Sequence, residues 1–97
     1  MAQFLITYDN KPPRDYRRLY QLMAGWKAVR MADSVWLANL VGPAPVVRDV
    51  VQNTLQRNDN VAVVELKQGA DWAVSNATPV AARIWLSSYV TPSQAAA

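Results

Sequence analysis

Apolar residues recur along the chain with two periods, one typical of strands and the other of helices. The segment 3–8 is a β-branched and aromatic run that stops at Asp9 and two prolines, which predicts a strand buried on both faces. The next apolar residues lie three and four positions apart and predict an amphipathic helix with Gly25 as its C′ residue, just past the helix end. This apolar stripe, expected in the core, consists of Tyr16, Leu19, Tyr20 and Met23.

The middle of the chain predicts two paired strands. The segments 26–31 and 34–41 are rich in apolar residues, and only Ala32 and Asp33 join them. So short a connection indicates an antiparallel hairpin. The second segment is apolar on both faces, which favours a position inside the sheet.

The remaining elements follow a proline-rich break at 42–45. Val47, Val51 and their neighbours then recur at helical spacing and predict a second helix that ends near 58–60. A fourth strand is expected at 61–66. Thr78 and Pro79 are typical of an N-cap and first residue, so they predict a third helix that runs to about 89.

The order β-α-β-β-α-β with an added C-terminal helix predicts an α+β fold of the ferredoxin-like kind, with an antiparallel sheet. At 97 residues the chain suits one domain, which we place at 1–90, and we expect 91–97 to be a disordered tail. Hydrophobic residues make up 52% and charged residues 18%, with four tryptophans. This composition suggests more apolar surface than one monomer hides, and a homodimer would cover it.

The residue types absent from the chain exclude several chemistries. With no cysteine and no histidine, the sequence excludes disulfides, thiol nucleophiles, structural zinc sites and imidazole acid–base catalysis. We expect neither a signal peptide nor a membrane span, because no suitable apolar segment is present, and a cytoplasmic location follows as the default. The net charge of +3 is compatible with nucleic acid without being diagnostic of it.

Three segments resemble the SinR-like family of small bacterial proteins, relatives of the small nuclease subunit of the CRISPR adaptation complex and of VapD-like ribonucleases. These segments are Leu5-Ile6-Thr7-Tyr8-Asp9 with the following loop, Asp33-Ser34-Val35-Trp36-Leu37, and 59–66 with the following Gly69-Ala70-Asp71-Trp72-Ala73. The resemblance implies a ferredoxin-like homodimer. In the nuclease relatives, the residue that matches Asp9 is the proposed metal ligand. Pro12 and Pro13 depart from the nuclease pattern in the loop that follows.

Asp9 is the candidate catalytic and metal-binding residue, because carboxylates at the end of a strand are often functional. Mg²⁺ takes about six oxygen ligands. One aspartate is too few, so a magnesium site would need Asp9 from both chains of a dimer. The alternative is that Asp9 accepts hydrogen bonds from the next turn.

A set of arginines and a tyrosine are the candidate nucleic-acid-binding residues. Arg14, Arg17 and Arg18 share a helix face and could neutralise phosphates, while Tyr8 could stack on a base. The alternative is a solvated face on which Asp15 pairs locally. Asp71-Trp72 predicts a tryptophan that caps the core or a dimer interface.

Three functions therefore stay open at this point. A metal-dependent endoribonuclease or endodeoxyribonuclease requires Asp9 and Mg²⁺. A nucleic-acid-binding protein requires only the arginine face, and a protein-interaction module requires neither. The proline pair after Asp9 and the lack of a second visible metal ligand favour a protein without catalysis.

Overall fold

The computed structural model describes residues 1–9, 15–57 and 59–91. Within them the chain forms an antiparallel sheet of four strands in the order β2-β3-β1-β4, together with three helices. The elements are β1 (Ala2–Asp9), α1 (Arg17–Gly25), β2 (Val29–Ala32), β3 (Val35–Leu40), α2 (Ala44–Gln52), β4 (Asn60–Glu65) and α3 (Val80–Tyr89). The α+β class, the antiparallel sheet and the third helix are confirmed.

One face of the sheet packs against α1 and α2. Alternate residues of β1 point to this face, and Phe4 and Ile6 among them are fully buried. Leu19 of α1 and Val51 of α2 lie in the same hydrophobic cluster, also fully buried. The two-residue period of the strands and the helical period of α1 and α2 thus meet in one core.

The opposite face of the sheet packs against α3. Leu37 of β3 is fully buried there, and it contacts a cluster formed by Trp85, Leu86 and the residue after the helix, Val90. The sheet therefore lies between two helical layers. The apolar character that the sequence shows on both sides of β1 and β3 follows from this position.

The end of α1 differs from the sequence prediction. Gly25 is the last helical residue, and the left-handed conformation belongs instead to Lys27, whose φ is 56°. The amide of Lys27 donates to Ala24 (3.1 Å) and that of Ala28 donates to Met23 (2.9 Å), which is a Schellman motif with lysine where glycine is usual. Lys27 and Ala28 therefore belong to the end of the helix, and β2 starts at Val29 instead of at the predicted residue 26.

This left-handed lysine predicts a stabilising substitution. The free energy of unfolding of Lys27→Gly should be about 1 kcal/mol higher than that of Lys27→Ala, because glycine adopts a positive φ without steric cost. Both variants remove the same charge, so their difference isolates the backbone conformation. Urea unfolding curves measure it, and equal stabilities would contradict the left-handed conformation.

The start of α3 is also shifted by one position. Pro79 is the N-cap residue and no side chain caps the helix, so the capping role predicted for Thr78 is wrong. Across the described part of the chain, none of the helices has the length and apolar character that a bilayer crossing requires. The tail predicted at 91–97 lies outside the described residues except for Thr91.

Candidate functional site

Asp9 lies where the sequence places it, at the end of a strand inside the sheet. It is the last residue of β1, which is flanked by β3 and β4, and it is paired in register with Asn60. Its side chain is exposed. The turn to which Asp9 was alternatively expected to bond falls in residues 10–14, outside the described residues.

The magnesium site predicted at Asp9 needs further oxygen ligands. Among the residues that the structure describes, no three aspartates or glutamates come together in a group that could hold a metal ion. Mg²⁺ commonly takes one or two carboxylates and completes its shell of about six oxygens with water and phosphate.

Tyr8 is a buried core residue. It is 4% exposed, and its hydroxyl accepts a hydrogen bond from the indole Nε1 of Trp36 at 3.0 Å. Burial raises the pKa of the Tyr8 phenol above its ordinary value of 10.0. The ring therefore has no open face for a nucleotide base, and the stacking role predicted for Tyr8 does not fit its position.

The predicted arginine face is only partly described. Arg14 lies outside the described residues. Arg17 pairs with Asp15, whose carboxylate it contacts through Nη2 at 2.9 Å and through Nε at 3.2 Å. This side-chain hydrogen bonding, together with a bond from the Arg17 amide, lowers the pKa of Asp15 to about 2. The local pairing that we weighed as the alternative is therefore present at Arg17.

Arg18 is exposed on the first turn of α1. It lines a shallow cavity of about 170 Å³ together with Asp15, Thr54 and Gln56. In the described part of the chain, no ion pair involves Arg18. Its guanidinium is therefore available to an anion in solution.

Aromatic rings form a row between α1 and β3. The rings of Tyr16 and Tyr20 stack with centroids 5.6 Å apart and planes inclined by 15°. The ring of Tyr20 then meets that of Trp36 at 6.1 Å. Tyr20 is 39% exposed, although the helical pattern predicted it in the core. Tyr16 and Trp36 are half-buried.

Arg30 completes this row from β2. Its guanidinium carbon lies 5.3 Å from the centroid of the Tyr20 ring and 5.4 Å from that of Trp36, which is a double cation–π contact. The same guanidinium donates to the backbone oxygen of Asp33 at 2.6 Å and to the Tyr20 hydroxyl at 3.3 Å. These bonds fix the charge over the aromatic rings.

The sequence prediction missed Arg30, and one signal could have identified it. Arg30 and Trp36 are cross-strand neighbours in the β2–β3 hairpin. Side chains that face each other in a hairpin share a face of the sheet. With the hairpin turn centred on Asp33, residues equally distant from it pair across the strands, so Arg30 pairs with Trp36. We call Tyr16, Tyr20, Trp36 and Arg30 the aromatic–arginine surface.

The comparisons with known proteins leave this site without a precedent. No protein-family model matches the chain. No curated protein and no solved structure matches it either. The resemblance to SinR-like proteins therefore stays a prediction.

Proposed function

We propose that this protein binds single-stranded nucleic acid through the aromatic–arginine surface. The observation that carries the proposal is the guanidinium of Arg30 held over two partly exposed rings, Tyr20 and Trp36. Unpaired bases stack on aromatic side chains and on guanidinium planes, while the backbone phosphates require positive charge. The surface combines both kinds of contact.

The neighbouring charges support the same ligand. Arg18 on α1 and Arg30 on β2 are both exposed and positively charged. Arg17 is 86% exposed in its side chain, so its pair with Asp15 is open to competition from a phosphate. A strand whose bases stack at the aromatic–arginine surface would bring its phosphates near Arg30.

We further propose that the fold is ferredoxin-like and that two chains associate. The strand order supports the first part, because β3 separates β1 from β2 while β1 separates β3 from β4, as two interlocked split β-α-β units require. Exposed apolar side chains support the second part. Val41 is 78% exposed and Val46 is 54% exposed, and both lie beside Trp26.

Fluorescence anisotropy with labelled single-stranded oligonucleotides tests the proposed function. We expect binding that differs little between base sequences, because every base has a π-face, and that weakens as the salt concentration rises. Duplexes of the same length should bind less tightly. A protein that binds no oligonucleotide at low salt would overturn the proposal and favour the protein-interaction module.

Asp9 supports a second candidate function, a nuclease whose metal site lies between two chains. The supporting observation is an exposed carboxylate at the end of an interior strand. A two-fold dimer presents every residue twice. Mg²⁺ held by two Asp9 side chains would supply an activated water, which this chain cannot generate with an imidazole or a thiol.

Subunit mixing tests this candidate. We expect Mg²⁺-dependent cleavage to be lost in Asp9→Asn, while folding and oligonucleotide binding persist. A mixed, exchanged population of equal parts wild type and Asp9→Asn should retain about one quarter of the activity, because each site needs both carboxylates. Retention of one half would place a complete site in each chain. If the wild-type protein binds oligonucleotides but does not cleave them with Mg²⁺, the proposed metal site is wrong and the proposed binding function is unaffected.

A further inference from the structure

A second site lies on the other face of the sheet, away from the aromatic–arginine surface. A cavity of about 220 Å³ separates the sheet from α3 and from the segment that precedes this helix. Leu5 and Leu37 line it from the sheet, and Leu66 lines it from the position just after β4. Leu86 and Val90 line it from α3 and the residue that follows. Trp72 closes it from the connecting segment.

Hydrogen bonds hold the roof of this cavity in place. The indole Nε1 of Trp72 donates to the carbonyl of Val90 at 2.7 Å, and the Gly69 amide donates to that of Thr91 at 3.0 Å. The side chain of Gln68 donates to the carbonyl of Tyr89 at 2.7 Å. These bonds satisfy the last carbonyls of α3 and its continuation. They fix the connecting segment to the helix end and so oppose its collapse onto the sheet.

The backbone at Gly69 contributes to this arrangement. Its φ is 87°, a conformation that a residue with a side chain rarely adopts. The chain can therefore turn sharply after β4 and return toward the end of α3. Trp72, which the sequence predicted to cap the core, packs against the cluster that contains Leu37 and Leu86.

The lining determines which ligand the cavity suits. Among the described residues around it, Asp71 alone carries a charge, and its side chain is exposed. The remaining lining is apolar, and the donor of Trp72 is already used by Val90. Apolar cavities of about 150 Å³ stay dry and accept benzene, so this volume suits a one- or two-ring aromatic group.

We propose that this cavity binds a small aromatic amine, with its ring between the sheet and α3 and its ammonium group at Asp71. Burial of the ring supplies the affinity, because the apolar walls exchange water or empty space for contact. The carboxylate of Asp71 supplies the charge preference. The proposal is independent of nucleic-acid binding, since the two sites lie on opposite faces of the sheet.

Three matched probes test the charge preference: indole, tryptamine and indole-3-acetate. We expect each to shift the methyl NMR signals of Leu5, Leu37 and Leu86, with tryptamine bound roughly fivefold tighter than indole-3-acetate. Asp71→Asn should abolish that difference. Asp49→Asn, which removes an exposed carboxylate elsewhere, should leave it unchanged.

A cavity-filling variant tests the location. Ala70→Leu places three more carbons in the lining and should abolish probe binding while the protein stays folded. Intermolecular NOEs from indole protons to Leu37 and Leu86 give the same information in the wild type, whatever the stability of the variant. Absence of these NOEs at millimolar probe would overturn the proposal. Cavity methyl shifts that follow protein concentration without any probe would also overturn it, and would assign this face to a second copy of the chain.

Discussion

Gly42→Ala should lower the free energy of unfolding by about 1–3 kcal/mol, the cost of overpacking a filled core. A Cβ atom at Gly42 would lie 2.5 Å from Cζ and 3.1 Å from Cε2 of the Phe4 ring. Phe4 is fully buried in the cluster between the sheet and the helices α1 and α2, so its ring cannot swing into solvent. Denaturant unfolding measures the loss.

Gly25→Ala is the matched control for this substitution. Apart from its chain neighbours and the backbone of its own helix, no atom lies within 4 Å of the position of its Cβ, and the residue ends an exposed turn of α1. Alanine there should raise the stability by up to about 1 kcal/mol, because it lowers the entropy of the unfolded chain. Equal effects at the two glycines would contradict the steric cause at Gly42.

A double-mutant cycle with Phe4 tests whether the cost of Gly42→Ala arises from the clash with the Phe4 ring. Phe4→Leu shortens the side chain that the new methyl group meets, so Gly42→Ala should cost less in that background than in the wild type. The double mutant should therefore lose less stability than the sum of the losses in the two single mutants. Additive costs would show that Gly42→Ala acts on the loop between β3 and α2 and not on the Phe4 ring.

Much of this fold could be predicted from periodicity because each element has its own pattern and faces a defined layer. β1 is apolar at every second residue and also carries Leu5 on the other face, since helices cover both sides of the sheet. Short connections fixed the antiparallel neighbours. Element ends were less predictable: a lysine in a left-handed conformation extended the end of α1 where the pattern offered Gly25.

The aromatic–arginine surface could not be predicted in the same way. A helical stripe indicates which side of α1 faces the sheet, but it does not show where the sheet ends. Leu19 and Met23 lie over the sheet and are fully buried, whereas Tyr20 lies toward the β2 side and is 39% exposed. Whether a residue of an apolar helical stripe is exposed depends on how far the sheet extends beneath it. That extent is a property of the tertiary structure and is not visible in the helical pattern.

Asp9 shows the opposite relation between pattern and structure. Its place at the end of an interior strand followed from the sequence, because a polar residue and two prolines end an apolar run there. The further step to a metal site needs a second carboxylate. The ligands of a metal site depend on which chain segments come close together in space. For Asp9, the proposed second ligand is Asp9 of another copy of the chain.

Tyr20→Ala should weaken the binding of single-stranded oligonucleotides about 5- to 150-fold, the range that loss of one stacked base produces. The substitution removes the exposed ring and also the surface over which the Arg30 guanidinium lies. Tyr20→Phe keeps the ring and loses only the hydroxyl that Arg30 contacts at 3.3 Å, so it should bind nearly as the wild type does.

Tyr89→Ala is the matched control. Tyr89 is also 39% exposed and also packs on a neighbouring aromatic ring, that of Trp85 at 5.1 Å, but it belongs to α3 on the other face of the sheet. Its removal should leave oligonucleotide binding unchanged. Equal losses at Tyr20 and Tyr89 would mean that general destabilisation, and not stacking, weakens binding.

The charge of the surface is tested separately through salt dependence. Arg30→Ala should reduce the slope of log affinity against log salt by about 0.7, the value for one phosphate contact on a single strand. Arg30→Lys should keep the slope but lose affinity, because an ammonium lacks the planar face that lies over Tyr20 and Trp36. Arg48→Ala removes an exposed arginine from α2 and should change neither quantity. A slope unaffected by Arg30→Ala would assign Arg30 to holding the aromatic rings, with phosphate contacts elsewhere.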